Sequence, residues 1–136
     1  MNTIEQAVAA AGTALPDVIT GHIGGESVPV DASAKHLGVY FPGTGEQIAS
    51  LQEDDASAVA TAVSTARASF DSGEWSLASI ATRQAVFRTA AQRIRDHAEE
   101  LAVLECVCAG LPSSHLVSRQ VPRAADNLDF FADYIG

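Results

Sequence analysis

The chain has 136 residues, 47% of them hydrophobic but only 6% aromatic, and a formal charge of −9. That length fits one domain with a modest core, which Ala, Val, Ile and Leu must largely supply. Lys35 is the only lysine, and so acidic a balance repels phosphate backbones, which argues against nucleic acid as a partner.

Residues 1–16 read either as a short helix on Ile4, Val8 and Ala11 or as a loose tail, with Gly12 and Pro16 following. The stretch lacks a basic flank and Glu5 precedes its apolar patch, so it reads poorly as a signal or transit peptide. No run is long enough to span a bilayer. No membrane partner is expected, and a cytoplasmic location is the default.

From Asp17 the pattern turns to strand. Val18–Ile23 and Glu26–Val30 flank Gly24-Gly25, which can take the positive φ angles of a tight hairpin turn. A second pair, Gly38–Phe41 and Gln47–Leu51, is joined by Pro42-Gly43-Thr44-Gly45. As a phosphate loop, Gly43-x-Gly45 fails, because Ile48 holds the third glycine position and the segment leads into a strand.

Asp54-Asp55 starts the first clear helix, where acids can cap free N–H groups and complement the dipole. Val59, Val63, Ala66 and Phe70 recur on one face, and Asp71-Ser72-Gly73 ends it. Trp75 sits in the connection, and Ser79 is the N-cap of a second helix with the stripe Val86, Phe87, Ala90, Ala91 and Ile94. Arg83, Arg88, Arg93 and Arg95 fall mostly off that stripe and read as a solvated surface rather than an anion-binding face. The register changes at Asp96-His97. Glu99-Glu100 then open a third helix with the stripe Leu101, Leu104 and Cys108, stopped by Gly110 and Pro112. A last helix carries Val121, Ala124, Leu128, Phe131 and Ile135. Pro122 cannot lie inside an unbroken helix without losing a hydrogen bond, so the main helix is expected to begin near Arg119–Val121, kinked against a short turn from Ser113. The fold class is α+β: β-hairpins over about 18–51, then three to four helices over about 54–135.

Chemistry is sparse. Cys106 and Cys108 lie about 200° apart around a helix, on different faces, so they cannot bridge to each other. Glu99, Glu100 and Glu105 nearby disfavour a thiolate, and buried packing residues are the better reading of both cysteines. His22, His36, His97 and His115 lie in separate elements, and with the cysteines they lack paired metal-ligand spacing. Ser113-Ser114-His115 reads as a cap rather than a Ser–His pair. Arg123 is a cation on the first turn of a helix, where it is best used on an anion; the alternatives are a partner such as Asp126 or a plain surface position.

Taken in order, several segments resemble the N-terminal part of the NAD(P)-dependent aldehyde dehydrogenase superfamily. Ile23-Gly24-Gly25-Glu26-Ser27-Val28 resembles its I-G-G-E-W-V opening, and Tyr40 to Ala49 its N-P-A-T-G-E-x-I-A turn. Ala62 to Trp75 is similar to A-V-x-x-A-R-x-A-F-x-x-G-x-W, and it is followed by Ser79-x-x-x-Arg83, Glu100-Leu101-Ala102-x-Leu104-Glu105 and Gly110-x-Pro112. Val121-Pro122-Arg123-Ala124-Ala125-x-Asn127-x-x-Phe130-Phe131-Ala132-Asp133 most resembles the branch acting on hydroxymuconic-type semialdehydes. Departures are Phe41 for the usual Asn, Ser27 for Trp, Leu111 for Lys, and Cys108 where an Asp helps hold a monovalent cation in some members.

The resemblance implies that residues 17–136 are an incomplete N-terminal part of a cofactor-binding domain, without the Rossmann sheet, nucleotide loops, catalytic cysteine and general-base glutamate. The complete enzyme would use NAD or NADP, while this chain alone is expected to bind no cofactor and catalyse nothing. In the semialdehyde branch an arginine on the final helix binds the substrate carboxylate, a role that passes by resemblance to Arg123. The expected partner is the remainder of a dehydrogenase subunit, from which this chain would be truncated or split, or a second copy met through an exposed apolar face. The rivals are a non-catalytic helical module that associates with a full-length dehydrogenase subunit, and a gene remnant.

Overall fold

The computed structural model describes residues 15–136, so the alternatives for the first residues lie largely outside it. Among the described residues five short strands precede the helices. Strand β1 (Val18–Ile19) pairs parallel with β5 (Gln47–Gln52), and β5 pairs antiparallel with β4 (His36–Tyr40). Strands β2 (His22–Ile23) and β3 (Glu26–Ser27) form a separate hairpin in which Gly24 and Gly25 take φ of 64° and 90°. The α+β order expected from the sequence is therefore present.

Val18–Ile23 is not one strand. The chain breaks at Thr20-Gly21 and sends its two halves to different sheets. A Cβ on Gly21 would lie 2.5 Å from Asp54 Oδ2, so a larger residue at the break would make the Asp54 side chain turn aside. The β4–β5 turn behaves as a turn: the Phe41 carbonyl accepts from Gly45 N–H at 2.8 Å, and the Phe41 N–H donates to the Glu46 carbonyl at 2.8 Å. Gln52 is the buried polar residue of the sheet. Its Oε1 accepts from the Asp31 N–H at 2.7 Å and its Nε2 donates to the Pro29 carbonyl at 3.3 Å, which pins the loop between β3 and β4.

Helix α1 (Ala56–Asp71) starts where the Asp55 carboxylate accepts from the Ala58 N–H at 2.8 Å. It buries no residue, and its stripe is open, with Val63 65% and Phe70 67% exposed. Helix α2 (Ile80–Asp96) is capped by Ser79, and His97 separates it from α3 (Ala98–Ala109). Gly110 closes α3 with φ of 70°.

The expected stripe of α3 is corrected. Leu101 and Cys108 are exposed and Leu104 is half-buried, while Ala102 and Val107 are buried. The cause is that α3 is covered on two sides. Val103 and Val107 pack on Phe41 of the β4–β5 turn, and Ala98, Ala102 and Cys106 pack on Ile94, Leu116 and Val121 of the helices. A helix gripped from both sides is apolar nearly all round and shows no single stripe.

One turn at Ser113–His115 runs into a π-helical segment, Leu116–Gln120, and then into α4 (Val121–Tyr134). The Val121 N–H bonds to the Leu116 carbonyl, one residue further back than in an α-helix. This wider turn lies just ahead of Pro122, whose ring would collide with the carbonyl four residues back in a regular helix. The expected kink is thus a π-helical turn. The buried face of α4 is Val121, Ala125 and Ala132 rather than the stripe running through Ala124, Phe131 and Ile135, all three of which are exposed. Small residues let α4 approach α2 closely and leave its aromatic rings outside.

Candidate functional site

The residues singled out for chemistry do not converge. Cys106 is half-buried among the helices, and Cys108 is exposed, which corrects its reading as a buried packing residue. Partial desolvation, and then the charge of Glu105, push the Cys108 thiol above its ordinary value, so it is a poor nucleophile. Each of three histidines has a local partner: His36 Nε2 meets the Asp31 carbonyl at 3.1 Å, His97 Nδ1 meets Glu100 at 3.0 Å, and His115 Nε2 meets Gln120 at 3.2 Å. Among the described residues no three His, Cys, Asp or Glu side chains gather as a metal site. Ser113 makes no capping bond, so the Ser113-Ser114-His115 cap is corrected too: Pro112 precedes the turn, and Ser114 instead offers its carbonyl to Ser118 Oγ at 2.7 Å.

Among the described residues no glycine turn leads from a strand into a helix N-terminus. Phosphate cradles need a glycine turn from a strand into a helix N-terminus. Gly43 and Gly45 instead join β4 to β5, and the one parallel pair described, β1–β5, is two residues long.

Arg88, Arg93 and Arg95 are exposed, as their spacing indicated, and two of them reach across to α4. Arg88 reaches Asp133 at 2.8 Å, and Arg95 Nη2 donates to Asp126 at 2.9 Å and Asp129 at 2.7 Å. Hydrogen bonds to Asp129 first and Asp126 second raise the Arg95 pKa above its ordinary value. Gln84 Nε2 adds a bond to the Ala132 carbonyl at 2.9 Å, so α2 and α4 are laced together over most of their length.

This lacing bears on Arg123. Asp126, the partner considered for it, is taken by Arg95, and Arg123 forms no ion pair with any described residue. Arg123 is exposed and helps line a shallow cleft of about 510 Å³ with His115, Ser118, Arg119, Gln120, Pro122 and Asp126. Its placement on an open first turn is corrected, because the helix already runs from Ser113 and the Val121 N–H is bonded to Leu116. Sequence reasoning missed Arg119 in the same cleft, although its spacing of four from Arg123 was the available signal.

Comparison with known proteins fixes the family. The family model for the aldehyde dehydrogenase family matches residues 30–136. The putative aldehyde dehydrogenase DhaS of Bacillus subtilis is 34% identical over 113 residues, covering 83% of this chain and 23% of the relative. The NADP/NAD-dependent aldehyde dehydrogenase PuuC of Escherichia coli is 36% identical over 94 residues, covering 69% of this chain and 19% of the relative. Among solved structures, an apo indole-3-acetaldehyde dehydrogenase superposes with a TM-score of 0.83 at 30% identity, over 99% of this chain and 30% of that one. P. syringae AldA, solved with NAD+ and IAA, gives 0.82 at 30% identity, over 94% and 26%. The chain spans about a quarter of the length of these proteins and shares the local fold of the solved ones, and it belongs to the aldehyde dehydrogenase family.

Proposed function

We propose that this chain supplies outer scaffold to the N-terminal part of the cofactor-binding domain of an enzyme that oxidises an aldehyde or semialdehyde to a carboxylic acid with NAD(P)+. The observation that carries this reading is the open apolar stripe of α1. Val59, Val63 and Phe70 are each more than half exposed on a helix that buries nothing, within a fold matched by solved dehydrogenases. An apolar face of that kind is made to be covered. Its occupant in this reading is the remainder of a dehydrogenase subunit, and without that occupant the same face favours self-association. Two free thiols, Cys106 and Cys108, suit a reducing compartment and support a cytoplasmic location.

Within such an enzyme Arg123 holds the carboxylate of the substrate. It is exposed and unpaired among the described residues, and its planar fork matches a carboxylate with two hydrogen bonds.

The test is turnover. The purified chain, given an aldehyde and NAD+, is expected to produce no reduced nicotinamide. Co-expression with a polypeptide carrying the rest of a dehydrogenase subunit is expected to give a complex that does. Reduction by the chain alone, or no complex on co-expression, overturns the reading.

A further inference from the structure

Arg123 does not stand alone in its cleft. Arg119 lies four residues earlier, inside the π-helical segment, and lines the same depression, with His115 four residues before that. Residues four apart on a helix are neighbours, about 5–6 Å between Cβ atoms, and like charges at that spacing repel. The chain has seventeen Asp and Glu against eight Lys and Arg, so cations are easily neutralised here, and four of the eight pair with a described acid. Lys35 pairs with Glu53, Arg67 with Asp71, Arg88 with Asp133, and Arg95 with Asp126 and Asp129. Arg119 and Arg123 pair with no described acid, although they adjoin each other and share the cleft with Asp126, which Arg95 holds from α2.

The other polar groups on the cleft wall are occupied with one another. Ser118 Oγ donates to the Ser114 carbonyl at 2.7 Å, and His115 Nε2 meets Gln120 Nε2 at 3.2 Å. The two guanidinium groups are the charged donors on that wall. A carboxylate has two oxygens and about four acceptor sites, enough for two arginines at once, and its charge removes the repulsion between them.

We propose that Arg119 is a second arm of the site, so that Arg119 and Arg123 clamp one carboxylate group between them. This rests on the reading of Arg123 as the carboxylate holder and sharpens it. Two cations in one cleft select small molecules that carry a carboxylate over neutral ones of the same length, which makes Arg119 a specificity-determining residue for the semialdehyde class.

The clamp can be tested on the 136-residue chain itself. Side-chain Nε–Hε signals of Arg119 and Arg123 are followed by NMR during titration with succinate, with succinamide as the neutral match and chloride at equal ionic strength. Both signals are expected to shift saturably with succinate alone. Arg119→Gln and Arg123→Gln are each expected to weaken binding roughly tenfold or more, as losing a charge-assisted hydrogen bond does. Both positions are exposed, and circular dichroism checks that each variant folds as the parent does. If Arg123→Gln abolishes binding while Arg119→Gln leaves it unchanged, the single-arginine reading stands and the clamp is overturned. No saturable shift with succinate, or shifts matched by chloride or succinamide, overturns both.

Discussion

Leu116 and Phe70 are both large apolar side chains, yet their truncation to alanine should have very different effects on this chain. Leu116 is 1% exposed, at the point where α3, the π-helical segment and α4 meet. Its neighbours include Ala98 and Ala102, which are too short to fill the space it would leave. Leu→Ala in such a site costs about 2–5 kcal/mol, and poor collapse puts this case in the upper half, about 3–5 kcal/mol. Phe70 is 67% exposed. Covering about a third of a side chain worth about 1.5–3 kcal/mol when fully buried gives about 0.5–1 kcal/mol. The Arg67 guanidinium, 5.1 Å from the Phe70 ring centre, adds about 0.5 kcal/mol, which the better helix propensity of alanine offsets. With an m-value of about 2 kcal/mol/M, Leu116→Ala should lower the urea midpoint by about 1.5–2.5 M and Phe70→Ala by about 0.5 M or less. Urea titration of the isolated chain, read by circular dichroism, measures both. Equal shifts would refute the reasoning, because they would mean that the α1 face is already covered within this chain.

Three further outcomes follow from local geometry. Gln52→Leu should leave the Asp31 N–H and the Pro29 carbonyl without their buried partner, at about 1–3 kcal/mol for each group kept from water, and hydrogen exchange at Asp31 should accelerate. Gly110→Ala should cost about 1 kcal/mol or more in a thermal melt, because φ is 70° and the added Cβ would come 3.3 Å from Pro42; Gly25→Ala, at φ 90° with nothing within 4 Å, isolates the backbone part of that cost. The Asp31 carboxylate is held below its ordinary pKa of 3.8 chiefly by hydrogen bonds from the Ser33 side chain and backbone, so whatever stability it contributes is present above that value and is lost as the pH falls through the depressed one. An NMR titration of Asp31 should show its pKa rising toward the ordinary value in Ser33→Ala.

Much of this architecture is legible in the residues, and the boundary of legibility is physical. Turns and caps are local, so Gly24-Gly25, Pro42 to Gly45, Asp55, Ser79 and Gly110 are found where sequence chemistry puts them. The kink ahead of Pro122 follows equally from a missing N–H. What escapes is set by distant neighbours. The split of Val18–Ile23 depends on the strands its halves meet, β5 for one and β3 for the other. The buried faces of α3 and α4 depend on which elements pack there, and apolar residues all round α3 cannot disclose that. In the cleft, Arg123 was visible as a cation needing an anion, but the removal of Asp126 by Arg95, 31 residues away, was not.

The wide turn at Leu116–Gln120 also sets the phase of everything downstream. A π-helical turn holds one residue more than an α-helical one, and each residue advances an α-helix by about 100°. Deleting a single residue there, Ser118 for instance, would make Val121 the fourth residue after Leu116, so the same bond would close an ordinary α-helical turn and every later side chain would keep its place. Straightening the turn with all its residues kept would instead hand the packing places now filled by Val121, Ala125, Leu128 and Ala132 to Gln120, Ala124, Asn127 and Phe131. Two amides and a phenyl ring would then crowd places now held by aliphatic or small side chains, and the three aspartates that answer Arg88 and Arg95 would turn about 100° away from them. One residue of slack in a helix thus decides whether the acidic row of α4 faces the arginines of α2.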